Sequence, residues 1–155
     1  MYRLIISFVC FLFAFSIISG QVVINEYSAA NYDTYTDNYG EYEDWVELYN
    51  PTINDIDLSG WALSDKINNP LKWVFPSSFN IPAGGLAVVY CSGRDEIVGG
   101  NAHSNFKITQ TKGNEVIMLS DASGILQDSI RVFPNQKSHT RGRQTDGAIT
   151  WSVFT

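Results

Sequence analysis

Cysteine is nearly absent. The chain has 155 residues and only Cys10 and Cys91. Cys10 falls in a stretch that reads as a leader, so Cys91 is left alone and an internal disulfide is excluded. Basic residues are also few, with 10 Lys and Arg against 16 Asp and Glu and a net charge of −6. Binding to phosphate backbones needs a basic face, so no nucleic-acid partner is expected. Histidine is limited to His103 and His139. Each stands alone in a loop, with no Cys, His or carboxylate at zinc spacing around it. The sequence has no Gly-x-Ser-x-Gly elbow, phosphate loop or paired catalytic carboxylate motif. Enzymatic activity is therefore not expected of this chain. After residue 20 no apolar stripe of helical period occurs either.

Long apolar runs are confined to the start. Arg3 is the only charge in the first twenty residues, and Leu4 to Ile18 is apolar apart from Ser7 and Ser16. Small residues, Ser19-Gly20, precede Gln21. A basic start, an apolar middle and a small-residue cleavage site make residues 1–20 a signal peptide. The run is shorter than the roughly 20 apolar residues of a membrane span, so an uncleaved anchor is the weaker alternative. No Cys sits at the cleavage point, which disfavours a lipoprotein. The expectation is a secreted or cell-surface protein without stable membrane insertion after cleavage. Residues 21–155 then form one domain of 135 residues, with nine Lys and Arg against sixteen Asp and Glu and a net charge of about −7.

What is present is β structure. Strands are expected at Val22–Tyr27, Asp44–Tyr49, Ile56–Leu63, Lys72–Pro76, Leu86–Cys91, Asn105–Ile108, Glu115–Ser120, Ile125–Phe133, Ser138–Gln144 and Thr150–Phe154. Asp121-Ala122-Ser123-Gly124 and Asp146-Gly147 are hairpin signals. Two long loops are expected, the acidic Tyr-rich residues 28–43 and residues 92–104. About nine or ten short strands with regular turn signals predict an all-β sandwich or barrel.

Several pieces in fixed order add a resemblance. They are Ile24-Asn25-Glu26, Asp44-Trp45-Val46-Glu47-Leu48-Tyr49-Asn50, Leu58-Ser59-Gly60-Trp61-Ala62-Leu63-Ser64-Asp65 and Lys72-Trp73-Val74-Phe75-Pro76. Ile81-Pro82-Ala83-Gly84-Gly85, Asn105-Phe106-Lys107-Ile108, Asp128-Ser129-Ile130, Gly142-Arg143-Gln144, Asp146-Gly147 and Trp151 follow. Together they resemble the bacterial lamin-tail domain over nearly all of residues 22–155. The resemblance implies an immunoglobulin-like β-sandwich. It also implies a non-catalytic secreted module, structural or adhesive, with a protein or cell-surface partner. Such modules commonly lie beside nuclease, phosphoesterase or adhesive domains. The family pattern usually runs on past the last Trp strand, which leaves open whether this module is part of a longer protein.

Three groups of residues are candidates for more than packing. The acidic end of the chain could offer oxygen ligands to calcium, with Asn25, Glu26, Asp44 and Glu47 as the metal set; the alternative is a solvated acidic loop. Exposed Tyr35, Tyr39 and Tyr42 could stack sugar rings, which would make loop 31–47 a glycan site, whereas Trp45, Trp61, Trp73 and Trp151 are expected mainly in the core. Asp128 lies in the apolar row Leu126-Asp128-Ile130-Val132 and needs a partner if it points inward. Arg143 is the expected partner in a structural pair, with Arg141 as the alternative. Cys91 lies in an apolar strand and is expected to be a buried, inert thiol. Apart from calcium, no cofactor is expected.

Overall fold

The computed structural model describes residues 21–76 and 78–155, and the expected leader, residues 1–20, lies outside them. The described residues form thirteen strands and no helix. The early strands are β1 (Val23–Ser28), β2 (Trp45–Tyr49), β3 (Ile56–Asp57), β4 (Ala62–Ser64), β5 (Trp73–Val74) and β6 (Asn80–Ile81). Then come β7 (Leu86–Tyr90), β8 (Glu96–Val98), β9 (Asn101–His103), β10 (Val116–Ser120), β11 (Leu126–Arg131), β12 (Thr140–Arg143) and β13 (Trp151–Phe154). A seven-stranded sheet runs β13-β12-β1-β2-β7-β9-β8, and a four-stranded sheet runs β11-β10-β4-β5. The short β3-β6 pair stands apart from both. Every pairing is antiparallel except β7 with β9. The described residues form an all-β sandwich, one of the two outcomes the strand pattern predicts, and of the immunoglobulin-like type that the resemblance implies.

The core follows the period-two alternation of strands. Val46 and Leu48 of β2 are fully buried, and so are Val89 of β7, Leu63 of β4, and Ile117 and Leu119 of β10. Trp61, Trp73, Phe75 and Phe79 join the same cluster. Cys91 is also in it, with no exposure, and burial pushes its thiol pKa up, as expected of an inert thiol.

Strand β1 breaks the alternation once. Val22, Ile24 and Tyr27 are all buried, a spacing of two and then three. The cause is a β-bulge. Ile24 pairs with Leu48 and Glu26 with Glu47, so Asn25 is the extra residue. The bulge keeps Tyr27 in the core opposite Val46 and turns Glu26 to the outer face beside Glu47. Read as a plain strand, Val22–Tyr27 would have sent Glu26 inward.

Three expectations are corrected. Residues 92–104 are not a loop throughout, because β8 and β9 form a hairpin there through Gly99 and Gly100, both at positive φ (58° and 82°). Asn105–Ile108 is not a strand. Its Phe106 and Ile108 are buried plugs without a ladder, and alternation alone cannot tell the two apart. Ile56–Leu63 divides into β3 and the start of β4, because Gly60 at φ 77° turns the chain and Trp61 donates back to the Leu58 carbonyl at 2.9 Å.

Candidate functional site

The Tyr-rich segment between β1 and β2 is organised by two buried polar residues. Asn31 is 5% exposed; its Nδ2 donates to the carbonyls of Tyr35 (2.6 Å) and Glu43 (2.8 Å), and its Oδ1 accepts from Tyr35 N. Asp37, also buried, accepts from Tyr39 N at 2.8 Å and Glu41 N at 2.9 Å around Gly40. The loop is therefore built from within, where a solvated acidic loop was the plain alternative. Sequence reading counted Asp37 only among the acids of this end of the chain and gave neither residue its organising role; the signal was Asx chemistry in a segment free of apolar residues other than tyrosine and alanine.

The three candidate tyrosines do not share a platform. Tyr35 packs edge-on against Trp45 at 6.0 Å and stacks on Tyr90 at 6.2 Å. Tyr39 donates to Glu96 at 2.7 Å, lies under the Arg94 guanidinium at 4.3 Å and covers His103 at 5.6 Å. Tyr42 faces a different cleft. That cleft, of about 320 Å³, is lined by Tyr32, Tyr42, Glu43, Asp44, Lys107 and Gln110 among others. Lys107 and Glu43 pair across it at 2.8 Å. Asp44 Oδ1 accepts from Asn31 N at 2.9 Å, yet burial pushes its carboxyl up to about 6.

The four residues expected to bind calcium are also divided. Asp44 continues the alternation on the face of Val46 and Leu48, whereas Glu47 lies on the outer face. Asn25, at the bulge, is 3% exposed. Its Nδ2 donates to Glu47 at 3.0 Å and to Asp146 at 2.9 Å, and its Oδ1 accepts from Gly147 N at 3.1 Å. The Gly147 contact fixes the amide so that its nitrogen, not its oxygen, faces the carboxylates. Among the described residues no group of three or more His, Cys, Asp or Glu side chains is placed to hold a metal ion.

Asp128 and Arg143 meet at 2.7 Å, with side chains 18% and 10% exposed. The row containing Asp128 opens to solvent at Leu126 (49% exposed) and closes over Val132 (3%). Asp128 Oδ2 also accepts from Ile24 N at 2.9 Å, and Arg143 Nε donates to Ile24 O at 2.8 Å. Pairing of β1 with β12 covers only Glu26 and Tyr27. Two side chains thus serve the Ile24 backbone where the ladder is missing, and they tie the two sheets together. Arg141, the alternative partner, instead donates to the Pro134 carbonyl at 3.3 Å.

His103 is fully buried. Its Nδ1 lies 3.0 Å from Ser92 Oγ and its Nε2 lies 2.7 Å from Asn38 Oδ1, under the rings of Tyr90 and Tyr39. A Ser–His–Asn chain of this kind resembles catalytic relays only on paper: Ser92 is 7% exposed, and neither Ser92 nor His103 lines a described cleft.

The largest convergence is on the outer face of the seven-stranded sheet. Register sets Gly142, Glu26, Glu47 and Val88 side by side across β12, β1, β2 and β7. A cleft of about 380 Å³ opens over this row, walled by Trp45, Tyr35 and Phe154, with Thr34, Ser138 and Thr140 around it. Gly142 makes the space: a Cβ there would meet Glu26 Cγ at 2.9 Å and Oε2 at 3.0 Å. Burial raises the Glu47 pKa, and the Glu26 and Asp146 charges push the same way. Trp45 is buried as expected, at 9% exposure, and one side of its ring forms a wall of this cleft.

No match was found among curated proteins. The Lamin Tail Domain family matches residues 18–133, which covers β1 to β11 and stops before Gly142, Asp146 and Trp151. This match spans most of the chain and agrees with the sandwich just described, and the chain belongs to the lamin tail domain family.

Proposed function

We propose that this chain is a non-catalytic interaction module, exported from a bacterial cell, that serves a structural or adhesive role at the cell surface or in the medium. Membership of a family of non-enzymatic immunoglobulin-like domains supports the first part. The leader-like residues 1–20 support export. One observation carries the reading: the outer face of the large sheet bears a cleft with aromatic walls and a carboxylate floor. Sites on strands are held more firmly than sites on loops, and a firm concave surface suits recognition. The partner is a protein or another cell-surface component.

Two measurements test this. The intact mass of the chain recovered from culture medium should match residues 21–155 or a longer chain that contains them. A mass that retains residues 1–20 in the membrane fraction would overturn export. The purified chain should then be retained on the producing cells in a saturable way, and a lack of retention would overturn the interaction role.

The cleft around Tyr42 favours a second reading, a glycan-binding module. It sets the exposed Tyr32 and Tyr42 rings beside a carboxylate, an amide and a Lys–Glu pair. Aromatic faces and planar hydrogen-bonding groups are what sugar rings use. Oligosaccharide titration should quench tyrosine emission and lose its effect in Tyr42→Ala, while added calcium should leave the melting midpoint where it is. A midpoint that rises with calcium would restore the metal reading.

A further inference from the structure

The carboxylates on the cleft floor face each other with no cation of the described residues between them. Asp65, Glu43, Glu41, Asp33, Glu115 and Asp128 each have a Lys or Arg within ion-pair distance. Among the described residues the other acids, Glu26 and Glu47 included, have none, and Glu26 and Glu47 in addition face each other directly across β1 and β2. Like charges directly opposite on a sheet are destabilising, and here the arrangement is built in twice. The bulge at Asn25 turns Glu26 outward to meet Glu47, and Gly142 leaves the room in which the Glu26 side chain lies.

The surroundings define what would neutralise the pair. Thr140 lines the same cleft, and its Oγ1 is buried without a hydrogen-bond partner among the described residues. The cleft thus offers two carboxylates and an unused hydroxyl, a set of acceptors. Its walls are aromatic and aliphatic, from Trp45, Tyr35, Phe154 and Val88. A primary ammonium on an alkyl stem matches both parts. It brings three donors and one positive charge, and its stem packs on apolar walls. A sugar would leave the charge uncompensated, and a bare divalent ion would leave the aromatic walls unused.

We infer that the cleft over Glu26, Glu47 and Thr140 receives a lysine side chain of a partner protein. This inference rests on the interaction-module reading and supplies the chemistry of its contact. Glu26 and Glu47 supply charge and acceptors, Trp45 and Tyr35 hold the methylene stem, and the Thr140 hydroxyl, buried as it stands, turns about χ1 to take the remaining N–H.

The test uses the purified chain and Nα-acetyl-lysine methylamide, with the Nε-acetylated compound as a neutral control. Backbone amide shifts are followed during titration. Saturable shifts are expected at Glu26, Glu47, Thr140 and Trp45 with the lysine probe, and none with the acetylated one. Raising salt should weaken binding. Glu26→Gln should lower affinity about tenfold through loss of one charge-assisted contact, and Ile53→Ala, at an exposed residue outside the described clefts, should leave it unchanged. The Glu26 side chain makes no hydrogen bond among those described, so its amide variant keeps the fold; Glu47→Gln keeps an acceptor for Asn25 and serves as the second variant. Equal binding of the acetylated probe would overturn the inference, since the cleft would then be merely apolar. Absence of shifts at these residues would overturn it also. Should the lysine probe fail while the chain is still retained on cells, the interaction role stands and only the lysine contact falls; loss of retention removes the broader role instead.

Discussion

Asn25 does more for this fold than its size suggests. One amide satisfies Glu47 and Asp146 and takes the N–H of Gly147, so the bulge, strand β2 and the β12–β13 turn meet at a single side chain. Removing it leaves two carboxylates close together without their donor. Asn25→Ala is therefore expected to cost about 2–3 kcal/mol, read as a lower urea midpoint at unchanged slope. A loss below about 0.5 kcal/mol, the range of an ordinary surface change, would refute the role. Sequence reading placed Asn25 among possible metal ligands on the strength of its oxygen. The residue type was legible, but the bulge that turns its nitrogen toward the acids was not. The trace it leaves in the sequence is the broken spacing of Val22, Ile24 and Tyr27.

At the scale of elements, one contact sets how two strands of the large sheet approach and another how the two sheets are joined. Gly142 lies directly opposite Glu26, and the missing Cβ is what lets β12 approach β1 with the glutamate between them. Gly142→Ala should destabilise by about 1–3 kcal/mol through overpacking, and Glu26→Ala in the same chain should restore most of the loss. Additive losses in a double-mutant cycle would show that the crowding lies elsewhere. The Asp128–Arg143 pair joins the four-stranded sheet to β12 and serves the backbone of Ile24. Asp128→Ala should cost about 3 kcal/mol, because it strands a largely buried guanidinium and an amide. A much smaller loss would mean that solvent reaches the pair freely. This pair could be expected from a carboxylate sitting in an apolar row. The β8–β9 hairpin carried an equally plain signal, Gly99-Gly100 between two short runs, but strands of three residues give too little alternation to be seen. Asn105–Ile108 fails for the converse reason, since burial without a ladder produces the same pattern.

For the whole molecule, one buried and one half-buried group act on acid stability in opposite directions. Burial holds the His103 imidazole below its ordinary range, and its neutral ring suits a donor at Nε2 toward Asn38 and an acceptor at Nδ1 toward Ser92. The unfolded chain takes up that proton first, near pH 6.5, so this contribution is present above about pH 6.5 and is lost as pH falls below it. Asp44 does the reverse. Its folded carboxyl, pushed up to about 6, keeps a proton that the unfolded chain releases near 3.8, so its contribution fades as pH rises through 6. His103→Gln should flatten the loss of melting temperature between about pH 6.5 and 5, and Asp44→Asn should raise the midpoint relative to the parent at about pH 8 but not at about pH 4. Parallel profiles for parent and variants would sink both assignments. The pairing of β1 with β12 has a consequence of another kind, one of timing. Tyr27 waits for Arg141, and Ile24 waits for Arg143, more than a hundred residues downstream. A chain elongated only to Phe133 holds both strands of the β10–β11 hairpin, yet its first strand still lacks one neighbour. Contacts this distant in sequence close slowly. Maturation of the large sheet, and of the cleft on its face, is therefore among the last events of folding, and the chain passes its early life with that edge open.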